Sequence, residues 1–268
     1  MVFLTKNIDK RRRQVYACIV VRMTIKLKAM IRMHHTLSPS QIHVAVDLLI
    51  MTVRHGKLAL LLSRRPEEPC RGCWALPGKL LPLQESAEEA AGALLSEMLP
   101  IQEVYTEQLF TFTGVSRDPR GRVISIAYLV IVPWQRLEGW LSRPESGLKC
   151  FDVQHGFQTL RLMGPQDALV QENQLAFDHG QMIRTGIRRL QGKIAYSELG
   201  FRFLNRMDSF SLRELQTVFE AVLDEELDKS NFRRSILSRY EADGRICQTD
   251  DMQKSGRGRP SALYRYQP

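Results

Sequence analysis

The sequence predicts an α+β protein with a mixed sheet, ending in a helix–turn–helix and a two-stranded wing. Three features carry that reading. A hairpin of aliphatic strands lies near residues 42–63, an amphipathic helix with its own capping signal follows it, and the hydrophobic spacing becomes helical from Ser209 onward. Strand, strand, helix, strands, helix is the order of an α+β domain, or of an α/β one, built on a mixed sheet.

Ile42–Val53 (IHVAVDLLIMTV) reads as a buried strand, Arg54-His-Gly-Lys57 turns the chain, and Leu58–Ser63 returns it. Glu85–Leu99 has helical spacing, with Ser86 at the N-cap and Glu89 three residues on. Gln108–Thr113 and Val123–Val132 are strand-like and are joined by a charged turn, Ser116–Arg122. Residues 138–170 mix glycine, proline and short strand-like pieces. A helix is expected from Asp178 to about Lys193, then a second helical run from Ser197 to Met207. Asp178 and His179 read as the structural start of the first of these rather than as ligand contacts.

From Ser209 the pattern changes. Ser211 and Glu214 make a capping box for Leu212–Leu223, in which Leu212, Leu215, Val218, Phe219 and Val222 recur at helical spacing. An acidic turn, Asp224–Asp228, leads to a second helix near Lys229–Arg239. A strand near Arg245–Cys247, a polar loop to Pro260 and a strand at Ala262–Tyr266 complete the chain. Two helices and a hairpin of about sixty residues make a winged helix-turn-helix.

Composition narrows the function classes. The chain has 268 residues, 44% of them apolar and 25% charged, as soluble globular chains do. Its net charge of +9 suggests nucleic acid, but residues 1–40 hold nine Lys/Arg against one acid, so the remainder is nearly neutral. Any DNA contact must come from local patches. Five cysteines, an odd number, argue against a disulfide framework and for a reducing, cytoplasmic setting. Cys70-Arg-Gly-Cys73 is a lone CxxC without a second ligand pair, so neither zinc nor redox use is expected and the two thiols read as incidental. No apolar run approaches the ~20 residues of a membrane span. Val15–Val21 resembles a weak signal peptide, but cations follow at once, and residues 1–39 are expected to be a disordered basic extension.

The stretch Trp74–Ile101 resembles the Nudix box, G-x5-E-x7-R-E-U-x-E-E-x-G-U. Glu85, Leu95, Glu97 and Ile101 match; Lys79 takes the first glycine, Ala93 and Leu94 replace Arg-Glu, Met98 replaces the last glutamate and Pro100 the second glycine. In that family the helix glutamates bind Mg²⁺ or assist the attacking water. Positions 94, 97 and 98 share one helix face, which here reads Leu, Glu, Met. Mg²⁺ wants oxygen ligands, so no catalytic residue and no metal site are assigned and hydrolysis should fall by orders of magnitude. Glu88, Glu89 and Glu103 lie off that face. Leu60–Arg65, Gly72–Gly78 and Arg117–Tyr128 resemble the ADP-ribose branch of the family, which implies a Nudix α/β/α sandwich.

Leu175–His179, Leu227–Leu237, Gly258–Pro260 and Leu263–Tyr266 narrow the resemblance to the Nudix-related transcriptional regulators of NAD metabolism, over about residues 40–268. It implies a repressor of NAD biosynthesis or salvage genes that requires no cofactor. ADP-ribose or a related nucleotide would be its effector, and a homodimer would bind a pseudo-palindromic double-stranded operator. The implied divisions are an effector-binding domain at 40–194, a helical connector at 195–208 and the DNA-binding domain at 209–268.

The residue chemistry agrees. Lys229, Ser230, Asn231, Arg233, Arg234 and Arg239 give the second wing-domain helix an acid-free polar face, with Phe232, Ile236 and Leu237 facing the core. Arginine and asparagine read guanine and adenine edges, and lysine serves phosphates. Lys254, Arg257 and Arg259 combine cations with flexible glycines in the wing loop, suited to phosphate or minor-groove contact. For the effector, Trp74 can stack on a base, and Arg64, Arg117, Arg120 and Arg122 can grip a diphosphate or ribose, alongside Lys79 and Glu97. Trp74 has a second reading as a core residue, and Arg120 and Arg122 as surface residues. The rival functions are an active ADP-ribose-type pyrophosphatase with an accessory domain and a sugar-responsive regulator of the same architecture.

Overall fold

The computed structural model describes residues 41–143, 146–155, 160–253 and 260–267. The basic extension, and the wing cations Lys254, Arg257 and Arg259, lie outside the described residues.

Strand β1 (Ile42–Arg54) turns at His55-Gly56, both at positive φ (49° and 73°), into β2 (Lys57–Arg64). Arg54 pairs with Lys57, so this is a two-residue hairpin, whose twist suits left-handed turn residues. Short strands β3 (Trp74–Ala75) and β4 (Gly78–Leu80) pair with β2 and β1. Helix α1 (Ala87–Met98) has the complete Ser86/Glu89 capping box. Strands β5 (Tyr105–Phe112) and β6 (Arg122–Ile131) follow, then helix α2 (Trp134–Leu141). The mixed region yields β7 (Leu148–His155), β8 (Leu160–Met163) and β9 (Leu169–Gln171). The sheet order is β5-β6-β1-β2-β7-β8-β9; β1 and β6 run parallel and the other pairs antiparallel, so the sheet is mixed.

Strand β1 explains the layers. Val46, Leu48 and Ile50 pack with Ala90, Leu94 and Leu95 of α1, while Leu49 and Met51 pack with Ile183 and Ile187 of α3 (His179–Ile194) on the other face. A strand covered on both faces must be apolar almost throughout. Among the described residues no helix is long and apolar enough to cross a membrane.

The expected helical run at Ser197–Met207 is corrected to one turn, α4 (Leu199–Arg202), among tight turns. Its apolar residues do not form one helix face. Phe201, Phe203 and Leu204 all enter the core, and Gly200 lies so close to Phe219 that an added Cβ would sit 2.5 Å from its ring. Strand β10 (Phe210–Ser211) leads into α5 (Leu212–Leu223), α6 (Lys229–Tyr240), β11 (Ile246–Gln253) and β12 (Ser261–Tyr266). The second sheet is ordered β10-β12-β11. Ser211 and Glu214 form the expected capping box. Asp224, at φ 58°, ends α5, and Asp228 caps α6 by accepting from the Asn231 N–H at 2.8 Å.

The wing core is continuous with the core on the α3 face of the large sheet. Gln191 of α3 donates to the Val222 carbonyl at 3.2 Å, and the β1–β2 turn meets α5, where a Cβ on Gly56 would lie 3.8 Å from Thr217.

Candidate functional site

Asp47 is the lone acidic residue of β1, and a buried polar network forms around it. It lies opposite Gly78, where a Cβ would come within 2.0 Å of Asp47 Oδ1, so only glycine fits there. Ser125 of β6 donates to Asp47 Oδ2 at 2.5 Å. Arg117 makes a bidentate pair with Asp178 at 2.7 and 3.0 Å and comes within 4.0 Å of Asp47. His179 Nδ1 accepts the Leu76 N–H at 2.9 Å, so the neutral ring carries its proton on Nε2, 3.9 Å from Asp47 Oδ1. Lone acids in otherwise apolar strands are the signal that could have marked Asp47 beforehand.

Two expectations change here. Asp178 precedes α3 but makes no side-chain cap; its carboxylate goes to Arg117 instead. Arg117, expected on a ligand phosphate, has a side chain only 5% exposed and already held by Asp178. Replacing it with alanine would leave two part-buried carboxylates without their cation. The expected loss is about 3–5 kcal/mol of stability. A shift of the urea midpoint worth less than about 1 kcal/mol would refute that assignment.

Burial holds the His179 pKa below its ordinary 6.5, against the opposing pull of Asp47 and Asp178. The unfolded chain therefore takes up a proton near pH 6.5 that the folded chain refuses, and stability falls as pH drops through that range. His179→Gln should lose less melting temperature between pH 7 and pH 5.5 than the parent. Equal losses would assign the pH dependence to other groups.

Outside this network lies a rim of aromatic rings and guanidinium groups. Arg64 sits over the Trp74 ring at 4.6 Å, and Trp74 meets Phe151 edge-on at 4.8 Å. Arg65 and Arg120 both lie over Phe177, at 4.7 and 5.7 Å. Burial, and then the neighbouring Arg120, lower the Arg65 pKa. Sequence reasoning did not single out Arg65 or Phe177. Arg120 is paired with Asp118 at 2.7 Å, Arg122 donates to the Thr113 and Gly114 carbonyls at 2.8 Å, and Lys79 is 3.5 Å from Glu85. The structure thus joins Arg64 with Trp74, but Arg122 serves as a clamp on its own loop. Trp74 is half-buried, between the two readings it was given.

On α1 the box positions separate. Leu94 is 7% exposed and packs in the core, Met98 is half-buried against it, and Glu97 is exposed. Glu89 is held by the cap, whose Ser86 N–H and hydroxyl lower its pKa, and Glu85 pairs with Lys79. Among the described residues no group of three or more His, Cys, Asp or Glu side chains is placed to hold a metal. This donor set does not fit the Mg²⁺ that the box would imply.

At the other end, Lys229, Ser230, Asn231, Arg233, Arg234 and Arg239 are all exposed along α6. Phe232 and Ile236 are buried as expected, with Tyr240 added to them, while Leu237 is only half-buried. Arg233 stands 5.9 Å from the Tyr264 ring of β12, and Arg234 donates to Asn231 Oδ1.

Comparison with known proteins agrees with this geometry. Residues 200–266 match the family described as the NrtR DNA-binding winged helix domain. The ADPR responsive transcriptional repressor NtrR of Acinetobacter baylyi is 29% identical over 225 residues, covering 83% of this chain and 81% of that one. An ADP-ribose pyrophosphatase of Methanocaldococcus jannaschii is 29% identical over 133 residues, covering 50% of this chain and 68% of its own. Among solved structures, Shewanella oneidensis NrtR complexed with a 27mer DNA superposes with a TM-score of 0.66 at 28% identity, over 84% of this chain and 93% of that one. Residues 200–266 are therefore an NrtR-type winged helix carried by a Nudix-like α+β body, and the chain is a homologue of the NrtR transcriptional regulators.

Proposed function

We propose that this chain is a cytoplasmic, ligand-responsive repressor of NAD biosynthesis or salvage genes. Residues 40–194 would bind ADP-ribose or a related nucleotide, residues 209–268 would bind DNA, and residues 195–208 would link them. A homodimer would set two α6 helices on a pseudo-palindromic operator, with half-sites about one or two helical turns apart. The observation that carries this reading is the cationic outer face of α6, on a winged helix whose core continues into a Nudix-like body. The A. baylyi relative, a repressor responsive to ADPR, and the DNA-bound S. oneidensis structure support it.

A path for the signal lies in the fold. Helix α3 starts beside the Asp178–Arg117 pair and ends against α5, and β1 runs from Asp47 to the turn beside Thr217. A nucleotide that favours one placement of these elements would release DNA only through its different affinity for the two arrangements. Gel shifts with fragments from upstream of the organism's own NAD genes test this, with ADP-ribose, NAD and sugars added in turn. ADP-ribose alone should release the fragment; release by a sugar alone would reassign the effector.

Hydrolysis is a second reading, favoured by the likeness to the M. jannaschii pyrophosphatase. With Leu94 and Met98 in place of carboxylates, AMP release from ADP-ribose and Mg²⁺ is expected to stay about 10³-fold or more below ordinary enzyme turnover of about 10 s⁻¹. Turnover near that ordinary value would make the chain an enzyme.

A further inference from the structure

The segment Arg65–Cys73 forms a tight loop that closes on itself beside the rim of rings and guanidinium groups. The Cys73 N–H donates to the Cys70 carbonyl at 3.0 Å, and Gly72 occupies the third turn position at φ 79°. Such a turn keeps its end Cα atoms within about 7 Å, and disulfides span about 4.4–6.8 Å. Both thiols are free and half-buried. The other described cysteines differ. Cys150 is buried, which pushes its thiol up to about 12, and Cys247 stands alone and exposed on β11. Among the described residues no third His, Cys, Asp or Glu side chain joins the pair in a group that could hold a metal.

The same loop holds two cations. Arg64 donates to the Gly72 carbonyl and Arg65 to the Pro69 carbonyl, each at 3.0 Å. The Arg65 backbone is paired twice with the turn, donating to the Cys73 carbonyl at 3.0 Å and accepting from the Gly72 N–H at 2.9 Å. Neither guanidinium has a carboxylate partner within 4.0 Å among the described residues, so both are held mainly by these carbonyls and by the rings of Trp74 and Phe177. Any change in the turn moves the acceptors that position them.

We propose that Cys70 and Cys73 are a dithiol–disulfide pair whose state sets how Arg64 and Arg65 are held at the rim. Hydrogen peroxide is the oxidant. The Cys70 sulfur attacks one peroxide oxygen, the O–O bond breaks, and a sulfenic acid and water form. Cys73 then gives up its proton and its sulfur attacks the Cys70 sulfur; the S–O bond breaks, and the departing hydroxide takes that proton and leaves as a second water. The two sulfurs together lose two electrons and the peroxide gains them; a dithiol reductant reverses the change. The consequence for effector binding rests on the nucleotide reading above.

The test uses the full chain, reduced and then exposed to peroxide, with remaining thiols blocked by N-ethylmaleimide. Trypsin cuts after Arg71, between the two cysteines, so the disulfide appears as two linked peptides or, uncut, as one peptide lighter by two hydrogens. Linkage is expected in the parent, reversible with dithiothreitol and absent from Cys70→Ser and Cys73→Ser. Both thiols remaining open to maleimide would overturn the pair. Because Arg64 lies over Trp74, linkage should also change the tryptophan emission, and Trp74→Phe or Cys73→Ser should abolish that change. Linkage with unaltered emission would overturn the coupling to the arginines, whatever the effector is. Disturbed arginine contacts should further weaken ADP-ribose binding by about tenfold. Emission that changes while the reduced protein binds no ADP-ribose would refute the nucleotide reading and leave the switch standing.

Discussion

Replacing Arg233 and Arg234 together with alanine is expected to weaken operator binding by about 100-fold or more, with fold and ADP-ribose binding intact. Both side chains are exposed, and the residue that anchors their helix, Phe232, points the other way into the core against Phe219. Truncation at exposed positions away from such anchors changes stability by only about 0.5 kcal/mol. A bidentate arginine–guanine pair discriminates by about 1–3 kcal/mol, so two together exceed two orders of magnitude at mid-range. Salt dependence tells what the arginines touch. Base contacts should relax sequence preference, whereas phosphate contacts should weaken all sequences alike and flatten the salt slope by about one unit each. Arg234 also donates to Asn231, so its loss frees that amide, and Arg233→Ala alone is the cleaner variant. Unchanged operator affinity in the double variant would remove α6 as the recognition helix.

The elements that were legible in the sequence are those specified by neighbours in the chain. The two capping boxes, Ser86/Glu89 and Ser211/Glu214, need only four residues each, and both form as written. The β1–β2 hairpin is likewise local, set by a two-residue turn between apolar runs. What failed depends on distant partners. Asp178 has the right type and place for an N-cap, but an arginine 61 residues earlier takes its carboxylate, because a bidentate ion pair offers more than one backbone N–H. The run Ser197–Met207 has helix-forming residues, yet Leu199, Phe201, Phe203 and Leu204 all enter one core, and these four positions do not share one face of a straight helix. Strand β10 is two residues long and exists only because Phe210 and Ser211 lie beside Tyr264 and Leu263. The rim arginines were recognisable as a group, but not by role. Nothing local separates Arg122, which clamps its own loop, from Arg120, which leans on Phe177.

Phe201→Ala is expected to cost about 3–5 kcal/mol, the range for removing a fully buried ring. The ring is 0% exposed and lies flat on Tyr266 at 4.0 Å, edge-on to Tyr240 at 5.1 Å and to Phe210 at 5.7 Å. Around it the link is fastened to the wing by polar contacts. Tyr240 donates to the Ser197 carbonyl at 2.9 Å, Tyr266 donates its hydroxyl to Glu198 at 2.8 Å, and the Tyr266 N–H donates to the Met207 carbonyl at 2.7 Å. Burial and the Glu198 contact push the Tyr266 hydroxyl up to about 12, so it stays a donor across the working pH range. Those bonds need the rings in register, and Phe201 is what the rings pack on. Its loss should therefore uncouple the wing from the body more than it unfolds the body, whose α1-side core is a separate cluster. Thermal unfolding should broaden or split, with DNA binding lost at lower temperature than ADP-ribose binding. Leu137→Ala, at a fully buried site in that separate cluster, provides the contrast: it should lower one cooperative transition without splitting it. If Phe201→Ala instead shifts a single sharp transition and both binding activities fall together, the link is a passive part of one core and the route from the Asp47 network to α6 must run through α3 and β1 alone.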